Sequence, residues 1–161
     1  MPSDLPSPAP IKALLRPSDA VAHGRSRQYL AQLARKGLLH KVARGLYALP
    51  QRQASEFASL AEIASKYPQV QVCLLSALAF HGLTTQAPFE VWIAVGNKAR
   101  APRPDYPPLR IVRFSGAALS EGVEVHDIEG IAVQVTSVAK TIADCFKYRN
   151  KIGLDVALEA L

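Results

Sequence analysis

The chain has 161 residues, of which 49% are apolar, enough to bury the core of one medium domain or two small ones. No apolar run approaches the roughly 18 residues of a membrane span, and the start Met-Pro-Ser-Asp-Leu-Pro lacks the order of a signal peptide, so a cytoplasmic location is expected. Cys73 and Cys145 lie far apart and outside any C-x-x-C pattern, which disfavours a zinc site or a disulfide and predicts buried thiols.

Positive charge is concentrated in the first third of the chain. Residues 1–52 carry nine basic and two acidic side chains, a net charge of +7, whereas the remaining residues carry ten basic and eleven acidic side chains, a net charge of −1. A cationic segment joined to a near-neutral one is typical of a module that neutralises phosphates. The alternative is a basic surface that only keeps the chain soluble.

The first residues are dominated by proline. Four prolines within residues 1–10 predict a flexible tail. Ile11–Leu15 is a short apolar segment that ends before Pro17, too brief to be predicted as a helix.

Two helices are predicted next. The first covers about Asp19–His23, with Ser18 as its cap and Gly24 as its left-handed end. The second covers Ser26–Lys36, is capped by its first residue and is ended by Gly37.

The longer of these helices has two chemically different sides. Leu30, Leu33 and Ala34 recur at helical spacing and predict an inner stripe. The predicted outward side contains Gln28, Ala31, Gln32 and Arg35, with Arg27 on the flank of the first turn. Arg and Gln side chains can form paired hydrogen bonds to guanine and adenine edges, and a small alanine between them permits close approach to the groove.

A basic β-hairpin follows. Leu39–Ala43 and Leu46–Leu49 are predicted strands, and Gly45 supplies the permissive backbone of the turn. Lys41 on the first strand and Arg44 at the tip can reach phosphates, and Tyr47 can bury its ring while its hydroxyl touches the DNA backbone.

Two short helices and a basic hairpin, in this order, predict a winged helix-turn-helix over residues 11–52. A tetratricopeptide-like or plain helical hairpin is the alternative, but it leaves the β-hairpin unexplained. The residues predicted to contact double-stranded DNA are Arg25, Ser26, Arg27, Gln28, Gln32, Arg35, Lys41, Arg44 and Tyr47.

The rest of the chain alternates between helical and strand patterns, which predicts a small mixed α/β domain over residues 56–161. Helices are expected at Glu56–Lys66, at Ser76–Gly82 with its first residue as cap, from Ser137 through Lys147, and from about Leu154. Strands are expected at Val70–Leu74, Phe89–Val95, Leu109–Phe114, Gly122–Asp127 and Ile131–Val135, the last two as a hairpin around Gly130. The predicted fold class is therefore α+β.

Both segments resemble one known family, the AbiEi antitoxins and related transcriptional regulators. The resemblance lies in Ser26–Leu30, Arg35–Leu39, Val42–Pro50, Leu74–Leu83, Val91–Ala94 and Thr136–Phe146. It implies autorepression of a toxin–antitoxin operon, a separately encoded nucleotidyltransferase as the toxin, and an antitoxin-like second domain that need not bind the toxin stably. Relatives have a longer first helix and continue beyond Leu161, so the second domain is expected to be truncated at its C terminus.

A few residues of the second segment invite other interpretations. Asp127 and Glu129 would share a face and hold magnesium if one strand ran through both, but Glu129 is expected in the hairpin turn. His81 is expected to cap a helix or to be packed rather than to catalyse. The basic loop Asn97–Pro108 is either a second contact for anions or a solvated connection.

Taken together, these patterns predict a DNA-binding regulator, the autorepressing antitoxin of such an operon, with no enzymatic activity and no cofactor or metal. One alternative is a solitary winged-helix regulator without a toxin. The other, from a different class, is a metal-dependent nucleotidyltransferase-like enzyme that uses the Asp127 and Glu129 carboxylates.

Overall fold

A computed structural model describes residues 14–50, 52 and 54–161. The predicted tail over residues 1–10, the start of the Ile11–Leu15 segment and two residues of the joint after Pro50 lie outside these described residues. The chain divides into two compact units, the first formed by Met1–Ser55 with Glu129–Ile131 and the second by Glu56–Ile128 with Ala132–Leu161.

The first unit combines two short helices with a three-stranded antiparallel sheet in the order β1-β3-β2. Its elements are β1 (Leu14–Leu15), α1 (Pro17–Ala22), α2 (Tyr29–Arg35), β2 (His40–Ala43) and β3 (Leu46–Ala48). Strand β1 pairs with the central strand through Leu14 opposite Ala48 and Leu15 opposite Tyr47. The predicted basic hairpin is confirmed, and the end of the apolar segment before Pro17 is a strand.

Helix α1 begins earlier than predicted, and the prediction that Ser18 caps it is wrong. Arg16 is the N-cap residue, and its backbone N–H donates to the Asp19 carboxylate over 2.7 Å. Pro17 occupies the first helical position, where its missing N–H costs nothing because no intrahelical acceptor is available there. Ser18 therefore lies inside the helix.

Helix α2 is shorter than predicted, and Ser26 does not cap it. The backbone N–H of Tyr29 donates to the Ser26 carbonyl over 3.1 Å, so the preceding residues form a turn and the helix starts at Tyr29. Gly37, with φ +76°, follows the C-cap residue Lys36 and stops the helix as predicted.

The core of the first unit joins both helices to the sheet. Ala20, Leu30, Leu39 and Tyr47 form one buried cluster. Leu14 on β1 and Leu46 on β3 are fully buried as well, so two of the three strands add apolar side chains to the interior.

The second unit is a five-stranded mixed sheet with helices. Its strands are β4 (Gln71–Val72), β5 (Val91–Gly96), β6 (Leu109–Phe114), β7 (Val123–Ile128) and β8 (Ile131–Thr136), in the sheet order β6-β5-β4-β8-β7. The central strand β4 runs antiparallel to β5 and parallel to β8, and β5 runs parallel to β6. The helices are α3 (Ala58–Lys66), α4 (Leu74–Phe80), α5 (Ala117–Ser120), α6 (Val138–Lys147), α7 (Arg149–Ile152) and α8 (Leu154–Glu159). The predicted mixed α/β character is confirmed.

Two predictions for the second unit that depended on a few residues at the end of a helix or strand are confirmed. The Ser137 hydroxyl accepts the backbone N–H of Lys140 over 3.2 Å and caps α6, as predicted. Glu129 and Gly130 both have positive φ, 54° and 87°, and form the two-residue turn of the predicted hairpin.

Two side chains of the second unit have tertiary partners that sequence spacing could not reveal. Ser76 lies within α4, and its hydroxyl accepts the backbone N–H of Trp92 over 2.8 Å, so the prediction that it caps this helix is wrong. The His81 ring is packed, as predicted, with Nε2 2.7 Å from the Thr136 carbonyl oxygen on β8.

Both thiols are buried, which confirms the prediction for Cys73 and Cys145. Burial raises the pKa of Cys145 from 9.0 to about 12 and that of Cys73 well above its ordinary value, and the Asp144 carboxylate raises both further.

We therefore expect neither thiol to react with a disulfide reagent at pH 8 until the protein unfolds, because the thiolate is the nucleophile. Below pH 9 the Cys145 thiol is protonated in both the folded and the unfolded protein. As the pH rises from 9 toward about 12 the thiol ionises more readily in the unfolded protein, so the free energy of unfolding falls. Thiol titration with and without guanidinium measures the reactivity. Unfolding curves from pH 7 to 11 measure the pH dependence of the stability. Fast labelling of the native protein would contradict the burial.

None of the helices in the described ranges is long and apolar enough to cross a membrane.

Candidate nucleic-acid interface

Exposed polar residues occupy the connection that leads into α2. The backbone N–H of Arg25 donates to the Ala20 carbonyl over 2.9 Å, which ties the start of the connection to α1. The Arg25 guanidinium lies 5.1 Å from the centre of the Tyr29 ring, a cation–π distance. The predicted contacts at this place, Arg25, Ser26, Arg27 and Gln28, are all exposed.

Helix α2 turns one polar side to solvent. Gln32 and Arg35 are exposed, whereas Leu30 is buried and Leu33 is half-buried against the core of the first unit. Ala31 is half-buried and packs against the same core, so the prediction that it belongs to the outward side is wrong. The physical reason is that Ala31 lies three residues before Ala34, at the edge of the apolar stripe, where the core covers its small side chain.

The hairpin places two more cations in solvent. Lys41 on β2 is exposed, and Arg44 is exposed in the turn with Gly45, which has φ +70°. The pairing of β2 and β3 shifts register between Lys41 and Ala43, a bulge that increases the local twist next to the turn. His40, exposed on the same strand, was not among the predicted contacts.

Tyr47 differs from the other candidates because it is only 8% exposed. It lies on the central strand, opposite Leu15 on one side and Lys41 on the other. The ring is therefore part of the core, as the sequence suggested for the ring, and DNA contact by the hydroxyl stays a prediction.

The exposed cations of the first unit are electrostatically uncompensated. In the described part of the chain, the acidic groups of this unit are engaged elsewhere: Asp19 lies 3.8 Å from the Arg16 guanidinium, and Glu129 pairs with Arg52. None of Arg25, Arg27, Arg35, Lys41 or Arg44 forms an ion pair within the described ranges. This arrangement leaves a positive surface that favours a polyanion.

The two carboxylates considered for magnesium do not lie on one strand face. β7 ends at Ile128, so Asp127 is on the strand while Glu129 is in the turn. The Glu129 carboxylate accepts a hydrogen bond from Arg52 Nε over 2.8 Å, within the first unit. Among the described residues no group of three or more His, Cys, Asp or Glu side chains could hold a metal ion.

Residues 12–50 match a family model whose members are transcriptional regulators. The family is that of the AbiEi antitoxins, so the resemblance seen in the sequence is confirmed over this segment, which includes every predicted contact. The match ends before the second unit, and resemblance there stays a prediction. No curated protein matches the chain.

Proposed function

We propose that the first unit is a winged helix-turn-helix and that the protein is a DNA-binding transcriptional regulator acting in the cytoplasm. The observation that carries the proposal is the set of exposed, unpaired cations around the start of α2 and at the hairpin tip. In this fold α2 enters the major groove and the hairpin lies along the neighbouring backbone. The sheet order β1-β3-β2 and the family match over residues 12–50 support this assignment.

The proposed contacts divide into two kinds. Recognition helices contact base edges through their N-terminal residues, and Arg27 and Gln28 stand directly before α2 with Gln32 one turn into it. We assign base contacts to these side chains. The remaining exposed candidates hold phosphates and fix the orientation of the protein: Arg25, Ser26, Arg35, Lys41 and Arg44.

The test is a gel-shift assay of the full chain on DNA from its own promoter. Arg27→Ala should cost about 1–3 kcal/mol of binding free energy and relax the preference at one base pair, because a paired contact to guanine is lost. Lys36→Ala removes an exposed cation at the C-terminal end of α2 and is the matched control. Absence of any binding at low salt would overturn the assignment.

We further propose that the protein is the autorepressing antitoxin of a toxin–antitoxin operon, with the segment 56–161, which contains the second unit, carrying the antitoxin activity. The family match supports the antitoxin class, and the concentration of positive charge in residues 1–52 leaves the near-neutral second unit available for other contacts. The proposed toxin is a neighbouring nucleotidyltransferase, which need not form a stable complex.

Growth of cells that express the neighbouring nucleotidyltransferase measures antitoxin activity. We expect rescue by the full chain and by residues 56–161, but not by residues 1–52, because the latter segment is committed to DNA. Far-UV circular dichroism of each fragment separates loss of activity from loss of structure. Rescue by residues 1–52 alone would contradict the assignment, and no rescue by the full chain would favour a solitary regulator.

A further inference from the structure

An open cavity in the second unit has the chemistry of an anion site. Its volume is about 350 Å³, within the range of small-molecule sites. It is lined by Tyr67, Gln69, Arg100, Ala101, Pro102 and Arg103. These residues supply two guanidinium groups, an aromatic residue and an amide, and no carboxylate.

The absence of a carboxylate distinguishes this cavity from two others in the same unit. Those cavities, of about 340 and 250 Å³, both include Glu90, whose charge disfavours an anion. Within the described residues neither Arg100 nor Arg103 forms an ion pair, although Asp105 follows in the same loop and is exposed. Both guanidinium groups are thus available to a ligand.

The loop that carries the two arginines is held at its start and in its middle. Arg113 on β6 donates through Nη1 to the carbonyls of Gly96 and Ala99, over 3.0 and 2.6 Å, which secures the start of the loop. Pro102, between the two arginines, is buried and anchors the middle of the loop. A loop backbone that is fixed before binding loses less conformational entropy than a mobile one.

The turn that carries the other two polar lining residues, Tyr67 and Gln69, is also supported. The backbone N–H of Tyr67 donates to the Ile63 carbonyl at the end of α3 over 2.8 Å, and that of Val70 donates to Tyr67 over 3.1 Å. Gln134 on β8 donates to the Pro68 carbonyl over 3.2 Å. This turn therefore presents Tyr67 and Gln69 from a fixed backbone.

We propose that this cavity binds a free nucleoside monophosphate. Arg100 and Arg103 would grip the phosphate, since planar guanidinium groups form paired, charge-assisted hydrogen bonds to phosphate oxygens. Tyr67 would contact the base, and the Gln69 amide would hydrogen-bond to the nucleoside. The proposal concerns a small-molecule site in the second unit and does not depend on DNA binding by the first.

The experiment is a titration of the ¹⁵N-labelled full chain with AMP, inorganic phosphate or adenosine, followed by amide chemical shifts. AMP should cause saturable shifts centred on Gln69 and Arg100–Arg103, and phosphate and adenosine should each bind about tenfold or more weakly because each makes only part of the contacts. The combined Arg100→Gln and Arg103→Gln variant should weaken AMP binding by about tenfold or more.

Two further variants make the result specific. Lys98→Gln removes a cation of the same loop that does not line the cavity, and it should leave AMP affinity unchanged. Tyr67→Leu should weaken binding of AMP but not of phosphate. The arginines are exposed, so the double variant should fold, and its own spectrum verifies this.

The proposal is overturned if AMP causes no saturable shifts, or if the shifts centre on residues 14–50. It is equally overturned if Lys98→Gln weakens binding as much as the double variant, if inorganic phosphate binds as tightly as AMP, or if Tyr67→Leu leaves AMP affinity unchanged.

Discussion

Replacing Arg25, Lys41 and Arg44 together by glutamine should reduce DNA affinity by roughly 10²–10³-fold near 0.1 M salt. Each of these cations is exposed and without an ion pair among the described residues, so each is available to a phosphate. A phosphate contact releases about one condensed cation from DNA, and three lost contacts should therefore flatten the slope of log affinity against log salt by roughly 2.7.

The measurement is the affinity for promoter DNA at several salt concentrations. The matched control replaces Lys66, Lys98 and Lys147, three exposed cations of the second unit, and changes the net charge of the chain equally. If the control lowers affinity and slope as much as the first variant, net charge rather than a defined surface governs binding, and the assigned phosphate contacts are wrong. Circular dichroism checks that both variants retain their secondary structure.

Replacing Lys140 by methionine should destabilise the protein by about 3 kcal/mol, because it leaves the buried Asp144 carboxyl group without its ion-pair partner. Lys140 Nζ lies 2.8 Å from Asp144 Oδ2, and both side chains are 12% exposed. The Lys140 stem packs tightly against Gly122, since a Cβ added to this glycine would lie only 2.8 Å from the Lys140 Cβ. Methionine keeps a side chain of similar shape at this contact. The free energy of unfolding from urea titration gives the cost.

Two variants separate the charge effect from loss of packing. Lys147→Met, at an exposed position of the same helix, should change stability by less than about 0.5 kcal/mol. Adding Asp144→Leu to Lys140→Met should recover most of the loss, because a buried ion pair can be replaced by apolar groups at little net cost. Equal stability of the two methionine variants would show that the ion pair contributes nothing.

The sequence by itself was sufficient for features that depend on near neighbours. The positive charge of residues 1–52 and the hairpin around Gly45 follow from composition and turn chemistry. Ser137 identified the start of α6 because a capping hydroxyl acts on a backbone N–H only three residues away. The family resemblance of residues 12–50 likewise needed no coordinates.

Tertiary structure decided the features in which distant residues compete for the same group. Leu14–Leu15 became a strand because Tyr47 and Ala48 lie beside it, and Ser76 became an internal hydrogen-bond acceptor because β5 brings the Trp92 N–H to it. Ala31 packs inward because the core of the first unit covers the edge of the helical stripe, and sequence spacing does not decide how wide the covered stripe is. The cavity around Arg100 and Arg103 depends on contacts from α3, β6 and β8. Sequence spacing does not encode these contacts, because only folding brings together segments that are far apart in the chain.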